Sequence, residues 1–579
     1  MNSPPPQAKR KSSRSDTELL LAARAGTGPR KYWTYFRLLG PGWLQSGLKL
    51  GGGTMTSSLY IGLLSGFTLL WVHPLAMFLG IIMLWALGYV IMNTGLRPFR
   101  AITDHVNPVL GWGWVLAALL SSMVWDLPQY AMAHGALSQN LLPSIFSATG
   151  LLGDFGGRAG VSLLILSICT AITWSYDNRG VGLRFFDVAL QALVWLKTLA
   201  FVGVVIRLGF SESIHWSEVF RGLFIPDLAL LDSPAKSYDK LLGPLTAGAR
   251  DYWSALLVDK QRDLIIASAA TAAGVNGTFL FGYSVWRRKW GKEFLMFSRL
   301  DLIAGMLLPV TITSSCVVIA GAHQFHTVYQ AALISQEPGA KPPPAKRVAE
   351  YNELLRGRIE GAAAQNGETL SAAEIHARMT ALPIEEKRVA AAVVTRDAYE
   401  LAASLEPLTG PFIAHFVFGF GVLGMCLSSI VLHMTVCGMI FCEMRNVPHA
   451  GWTYRLGSLA ASVGALGPFL WSKAAFWLAI PVAVFSYTLI PLTYITFFAM
   501  MNSRALLGDA LPRGGRRWAW NIAMGISVTV FIASSAWMLW HNGGYWAYAA
   551  CGAFLLAAGI VQVLRKRRVA AAPVTIPVA

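Results

Sequence analysis

About twelve apolar stretches run along this chain, each close to the roughly 20 residues that cross a ~30 Å hydrocarbon core. They fall near residues 38–64, 68–93, 111–136, 159–177, 184–208, 262–285, 300–322, 408–442, 454–471, 475–501, 517–540 and 545–564. Inside lipid a backbone amide has no water to bond, so such segments must satisfy themselves as helices. The chain is therefore predicted to be an all-α polytopic membrane protein. Only 13% of its 579 residues are charged and 55% are hydrophobic, which excludes a chain of ordinary soluble domains.

The placement of charge sets the orientation, because positive residues collect in cytoplasmic connections. Lys9, Arg10, Lys11 and Arg14 precede the first span, and Arg287, Arg288, Lys289 and Lys292 follow the sixth. Arg504, Arg513, Arg516 and Arg517 follow the tenth, and Arg565-Lys566-Arg567-Arg568 follows the last. With an even span count all four clusters share one side, so both termini are expected in the cytoplasm, the membrane being a bacterial-type inner (plasma) membrane. The net charge of +17 then reflects topology and anionic headgroups of the bilayer, not a nucleic-acid partner. The first 37 residues lack the apolar core of a signal peptide and read as a flexible basic tail. On the other side lie two long connections, 209–261 and an insertion at 327–406, the latter with a helical stretch at Ala349–Ala363. The six cysteines have neither disulfide-framework nor zinc spacing and read as small packing residues.

Two of the spans break in the middle at small residues. Gly51-Gly52-Gly53-Thr54 interrupts Leu38–Leu64, and Asn276-Gly277-Thr278 interrupts Leu264–Val285, five spans later. Matched discontinuous helices point to the solute site of an inverted-repeat transporter, since backbone freed at a break is tolerated in a membrane only where it lines a cavity. The glycines would expose amides at the positive end of the half-helix Thr54–Leu64, a bias toward anions. Lys49, half a turn before the break, would add to that bias, occupy a cation site itself, or turn into a water-filled vestibule. Glycines at close helix contacts are the plainer alternative.

Ionisable residues in other spans are the next candidates, because a charge at mid-membrane depth is expensive unless paired, hydrated or protonated. Asp126 is the clearest, either as a proton carrier or in a structural pair with Lys197 of the fifth span. His134, His415 and His433 stand isolated on apolar helices and read as hydrogen-bonded core residues. No Cys-His or Ser-His arrangement, HExxH or GxxxxGK occurs in any connection, so an enzyme is not expected and no cofactor is implied.

Gly40-Pro41-Gly42-Trp43-Leu44 resembles the opening of the first span in Nramp (natural resistance-associated macrophage protein) divalent-metal transporters, and the triple glycine falls where that family carries Asp-Pro-Gly-Asn. Asn276-Gly277-Thr278 falls where it carries Met-Pro-His. Gly419-Phe420-Gly421-Val422-Leu423-Gly424 with Leu427-Ser428-Ser429, and Tyr487-Thr488-Leu489-Ile490-Pro491-Leu492, resemble its eighth and tenth helices. Asp126-Leu127-Pro128-Gln129 is similar to an Asp-x-x-Glu pair associated there with proton movement, which puts Gln129 beside Asp126 and Lys197 as a coupling candidate. The resemblance implies a LeuT-like fold of two inverted five-span repeats, 38–208 and 262–501, with accessory spans in 502–564 and a basic tail at 565–579. In related inverted-repeat transporters a lysine on the fifth helix can stand in for a coupling cation, which by analogy concerns Lys197.

The family's metal ligands map to Gly51, Thr54 and Asn276, its sixth-span histidines to Thr278 and Tyr283, and its third-span glutamate to Gln129. Neither a carboxylate nor a thioether remains at the centre. The resemblance implies a proton-coupled divalent-metal transporter. The site's own chemistry (Lys49, Gly51, Gly52, Gly53, Thr54, Asn276, Gly277, Thr278) leaves a small organic or anionic solute as competitor. A transport-inactive membrane sensor is the third reading.

Overall fold

The computed structural model describes residues 16–25, 34–36, 38–176, 181–209, 214–335, 343, 345–395, 400–402, 406, 410–470 and 479–571. The basic cluster Lys9–Arg14 and residues 572–579 lie outside them. The described residues are helical without strands. Among the described residues eight helices are long and apolar enough to cross a membrane, and two shorter apolar helices, Phe485–Met501 and Tyr548–Leu564, fall on the tenth and twelfth predicted spans, so the protein is an integral, multi-pass membrane protein.

The first span is two half-helices, α1 (Pro41–Lys49) and α2 (Gly52–Ser65), and every residue of both is buried. Pro41 stands in the first turn of α1, where its missing N–H costs nothing. Then come α3 (Val72–Thr94), α4 (Pro108–Leu141), α5 (Gly153–Ser175) and α6 (Val181–Gly209). Asn107 caps α4 by accepting from the amides of Val109 and Leu110. The sixth span is again split, into α7 (Ala247–Ala273) and α8 (Val275–Arg287). It is followed by α9 (Lys292–Phe325), the insertion helices α10 (Ala345–Gln365), α11 (Ala372–Ala381) and α12 (Ile384–Val393), and α13 (Phe412–Met444). The helix α14 (Gly451–Ser458) continues through a 3-10 stretch, Leu459–Leu466. The pair α15 (Ala479–Thr488) and α16 (Ile490–Met501) parts at Leu489.

Packing follows the inverted repeat. α3 lies on α7 as α9 lies on α2, and α4 and α13, the third helix of each repeat, pack on one another. Glycines permit the closest approach: a side chain at Gly62 of α2 would meet the Val318 and Ala322 backbone of α9, and one at Gly321 would meet Leu59. Small residues take this role in membranes because dispersion contact, not water expulsion, holds helices together there.

The last helix, α17 (Gly514–Ala571), is helical throughout but doubles back, as the two predicted accessory spans require. The Tyr548 hydroxyl donates to the Ala536 carbonyl twelve residues earlier, a separation of about 18 Å along a straight helix. Asn107 accordingly reaches the Ala558 carbonyl, while Ser527 reaches that of Leu79.

Two boundaries differ from the hydropathy reading. α7 begins at Ala247, not near 262, because its first turns carry Arg250, Asp251, Asp259 and Lys260 and stand outside the apolar window. The sixth-span break lies at Gly274, so Asn276, Gly277 and Thr278 form the first turn of α8 instead of interrupting it.

Candidate functional site

α1 stops because its last carbonyls bond outside the helix. The Lys197 ammonium, from α6, donates to the carbonyls of Gly47 (3.3 Å) and Leu50 (2.9 Å) and to Ser428 Oγ of α13 (2.8 Å). A cation at the negative end of a helix dipole is favourable, and here it also satisfies carbonyls the helix leaves open. Thr54 Oγ1 turns back onto the Lys49 carbonyl. The Gly52 amide, first of α2, donates to Gln129 Oε1 of α4 at 2.8 Å. A side chain at Gly51 would run into Ser429 and Gln129, and one at Gly52 into Met132 and Gln129. The glycines therefore admit neighbouring side chains to the break, and the amide of Gly52, expected to await an anion, is already bonded.

Gly274 forms the second break, with φ −32° and ψ 146°. Its carbonyl faces the Lys49 ammonium at 3.4 Å. Gln45 of α1 donates to the Gly277 carbonyl at 3.0 Å, joining the two broken helices side by side, while its Oε1 is buried without a hydrogen-bond partner among the described residues. Asn276 Oδ1 accepts from the Gly277 amide at 2.8 Å. Thr278 faces away from the centre, donating to Val275 and accepting from Trp114 Nε1 at 3.0 Å.

Between the breaks is a cavity of about 20 Å³, lined by Lys49, Gly51, Gly53, Thr54, Gln129 and Asn276 together with Trp125 and His433. A single water needs at least 10–15 Å³ on this measure, so the space suits one water or one ion. Six of the residues singled out in the sequence thus converge. Gly52 and Gly277 back the lining, and Thr278, Asp126 and Lys197 lie outside it.

The pairing of Asp126 with Lys197 is overturned. Lys197 is held on the far side of the first break, whereas Asp126 Oδ1 meets His433 Nδ1 at 2.6 Å, both side chains buried. His433 is thus the hydrogen-bonded core residue expected, with Asp126 as its partner, and it also lines the cavity. No spacing relates residues 307 positions apart, and the available signal was that His433 is ionisable within an apolar span. Among the described residues no three His, Cys, Asp or Glu side chains gather in a way that could hold a metal ion. The oxygens on the cavity lining, among them those of Thr54, Gln129, Gly274 and Asn276, are neutral.

A second cluster, missed in the sequence, closes the N-terminal end of α1. Asp301 of α9 accepts from the amides of Gly40 (3.0 Å) and Gly42 (2.6 Å), and the Arg288 guanidinium packs against Gly40.

Comparison with known proteins agrees with this architecture. The family model described as natural resistance-associated macrophage protein-like matches residues 378–541. Natural resistance-associated macrophage protein 2 of Rattus norvegicus is 25% identical over 208 residues, covering 35% of this chain and 32% of that protein. Its Homo sapiens counterpart is 24% identical over 208 residues, with the same coverage of 35% and 32%. The match thus spans about a third of the length of these curated relatives. Among solved structures, the Eremococcus coleocola manganese transporter bound to an aromatic bis-isothiourea substituted compound superposes with a TM-score of 0.58 at 15% identity, covering 93% of this chain and 96% of that one. A mutant of the same transporter gives a TM-score of 0.55 at 15% identity, over the same 93% and 96%. The chain thus shares its LeuT-like fold with the manganese transporter, and over about a third of its length it is similar in sequence to natural resistance-associated macrophage protein 2.

Proposed function

We propose that this protein is a secondary active transporter whose cargo is a divalent metal ion, held between the two breaks and exposed to each side in turn. The observation that carries the reading is the ion-sized cavity between the two broken helices, within a fold it shares with a manganese transporter. Alternating access would come from rocking of the bundle that carries α1–α2 and α7–α8 against the remaining helices. The repeats 38–208 and 262–501 each contribute one broken span to the moving bundle, with 502–564 peripheral.

Proton coupling is assigned to Asp126 with His433. Gln129, where the family has a glutamate, holds the Gly52 amide and has no proton to give, so the coupled proton in this chain falls to the remaining carboxyl of the pair. The end of α8 and the connection after α16 both lie by the C-terminal end of α3, where Tyr89 donates to Ala510 and Trp286 to Gly95. That end is assigned to the cytoplasm of a bacterial-type inner membrane, together with both termini.

Lys49 favours a second reading, in which the cargo is a small anion or organic acid. The cavity volume argues against an organic solute in this conformation, because about 20 Å³ does not admit one.

The deciding experiment is Mn²⁺ uptake into liposomes holding the full-length protein, followed with an entrapped metal-sensitive dye at several external pH values. Saturable uptake that rises with an inward proton gradient is expected, and Asp126→Asn should keep uptake measurable while flattening its pH dependence. Flux blocked by excess acetate or chloride instead would support the anion reading. Saturable flux of neither kind would leave a transport-inactive sensor.

A further inference from the structure

The lysine between the two breaks needs an account of its own, because a cation carrier has no evident use for an ammonium in its binding site. We infer that Lys49 is a built-in competitor for the cargo: its ammonium fills the oxygen-lined gap that a transported cation would occupy, and it must leave before one binds. The inference rests on the metal-ion reading above and deepens it.

Geometry places one carbonyl oxygen against this ammonium and two amide oxygens in its neighbourhood. The Gly274 carbonyl is 3.4 Å away. A methyl group built on Gly277 would lie 3.0 Å from Lys49 Nζ and 2.7 Å from Gln45 Oε1, and one on Gly274 would lie 3.1 Å from Nζ and 3.0 Å from Asn276 Oδ1. Glycine at both positions therefore makes room for the lysine head and for the oxygens beside it. Carbonyl and amide oxygens without a carboxylate form a cation hole that favours hard ions but supplies no negative charge. A divalent ion and an ammonium a few ångströms apart in such a hole repel strongly, so the two exclude one another.

The contrast with Lys197 shows which lysine can move. Lys197 makes three contacts of 2.8–3.3 Å. Lys49 makes its one hydrogen bond to the second break at 3.4 Å, beyond the usual 2.7–3.2 Å range. Gln45 Oε1, buried nearby, has no partner among the described residues and is an acceptor ready for a metal ion. A flexible four-carbon stem lets the ammonium withdraw by several ångströms while α1 stays in place. Lys197 then fixes the break, and Lys49 sets how strongly a cation must compete to enter it.

Calorimetric titration of the detergent-solubilised full-length protein with MnCl₂ tests this, using wild type, Lys49→Ala and Lys49→Arg, each checked by thermal melting. Lys49→Ala is expected to bind Mn²⁺ roughly tenfold more tightly or better, since the repulsion is gone, while Lys49→Arg, which keeps the charge, binds no more tightly than wild type. A merely structural lysine would give the opposite sign, because damage to the site weakens binding. Equal or weaker binding by a folded Lys49→Ala protein overturns the inference and leaves the metal reading standing. Should that variant fail to fold, Lys49→Met of similar length is read by the same criterion. Absence of Mn²⁺ binding in wild type and in the neutral variant overturns the metal reading, and the inference with it.

Discussion

Lys49 and Lys197 are both buried and both bonded to backbone at a helix break, yet they should respond to mutation in opposite ways. Lys197 bridges α6, α13 and the end of α1, so its removal strands the Gly47 and Leu50 carbonyls together with Ser428 Oγ. Losing charged hydrogen bonds to groups with no access to water costs about 3 kcal/mol. Lys197→Met should therefore melt well below wild type, whereas Lys49→Met, which gives up one long contact, should melt within about 1 kcal/mol of it. Equal melting temperatures for the two variants would remove the distinction drawn here. Lys49 and Asp126 were legible as candidates in the sequence because an ionisable residue inside an apolar span is conspicuous. Their partners were not. Asp126 finds His433 and Lys197 finds three oxygens because the third and eighth spans, and the fifth and first, meet in space, and hydropathy carries no record of which span touches which.

Broken helices were the most legible elements, and their limits the least. The first break stands at Leu50–Gly51, where the glycine run announced it. The second stands at Gly274, ahead of the Asn-Gly-Thr run, and the reason is steric. With a negative φ, Gly274 adopts a backbone that other residues can reach, but a side chain there would collide with the Lys49 head and Asn276. A glycine needed for the approach of another helix leaves no local signature.

The opposite end of α1 depends equally on a distant residue. Its N-terminal amides are bonded by Asp301, 261 and 259 residues away from Gly40 and Gly42. This carboxylate ties α1 to α9 and holds the half-helix in its present position, so under the proposed alternating access the tie must give before α1 can swing. Capping contacts of this kind are worth about 1–2 kcal/mol. Asp301→Ala is expected to lower stability by about that amount and to speed amide hydrogen exchange across residues 40–46, leaving exchange in α2 unchanged. Uniform acceleration along both half-helices would mean that the carboxylate supports the whole bundle instead of latching one element.

At the scale of the whole molecule, the insertion is coupled to the site through a rigid element, α7. The sequence identified residues 327–406 as an added segment with a helical stretch, and α10, α11 and α12 fill most of it. Its seat was not legible, since it depends on α7 projecting beyond the membrane. There Glu386 of α12, 5% exposed, accepts from Trp253 Nε1 of α7 at 3.0 Å and pairs with Arg358 of α10 at 2.8 Å. Arg358 in turn lies over the Tyr252 ring of α7, 5.4 Å from its centroid. One carboxylate thus joins two insertion helices to the helix that ends at the second break. From Trp253 to Gly274 is about 30 Å of continuous helix, a length that transmits displacement without bending much. If α7 rocks during transport, the insertion must ride with it. Glu386→Ala leaves a guanidinium and an indole N–H without their acceptor, a loss of about 3 kcal/mol confined to this seat. Trypsin should then cut the insertion faster at Arg356, Arg358 and Arg378 while the membrane bundle melts at its usual temperature. Mn²⁺ uptake should slow in the same variant, because α7 has lost the mass that steadies its outer end. Faster cleavage with unchanged uptake would instead make the insertion a passenger on α7, with rocking confined to the part of the helix inside the bilayer.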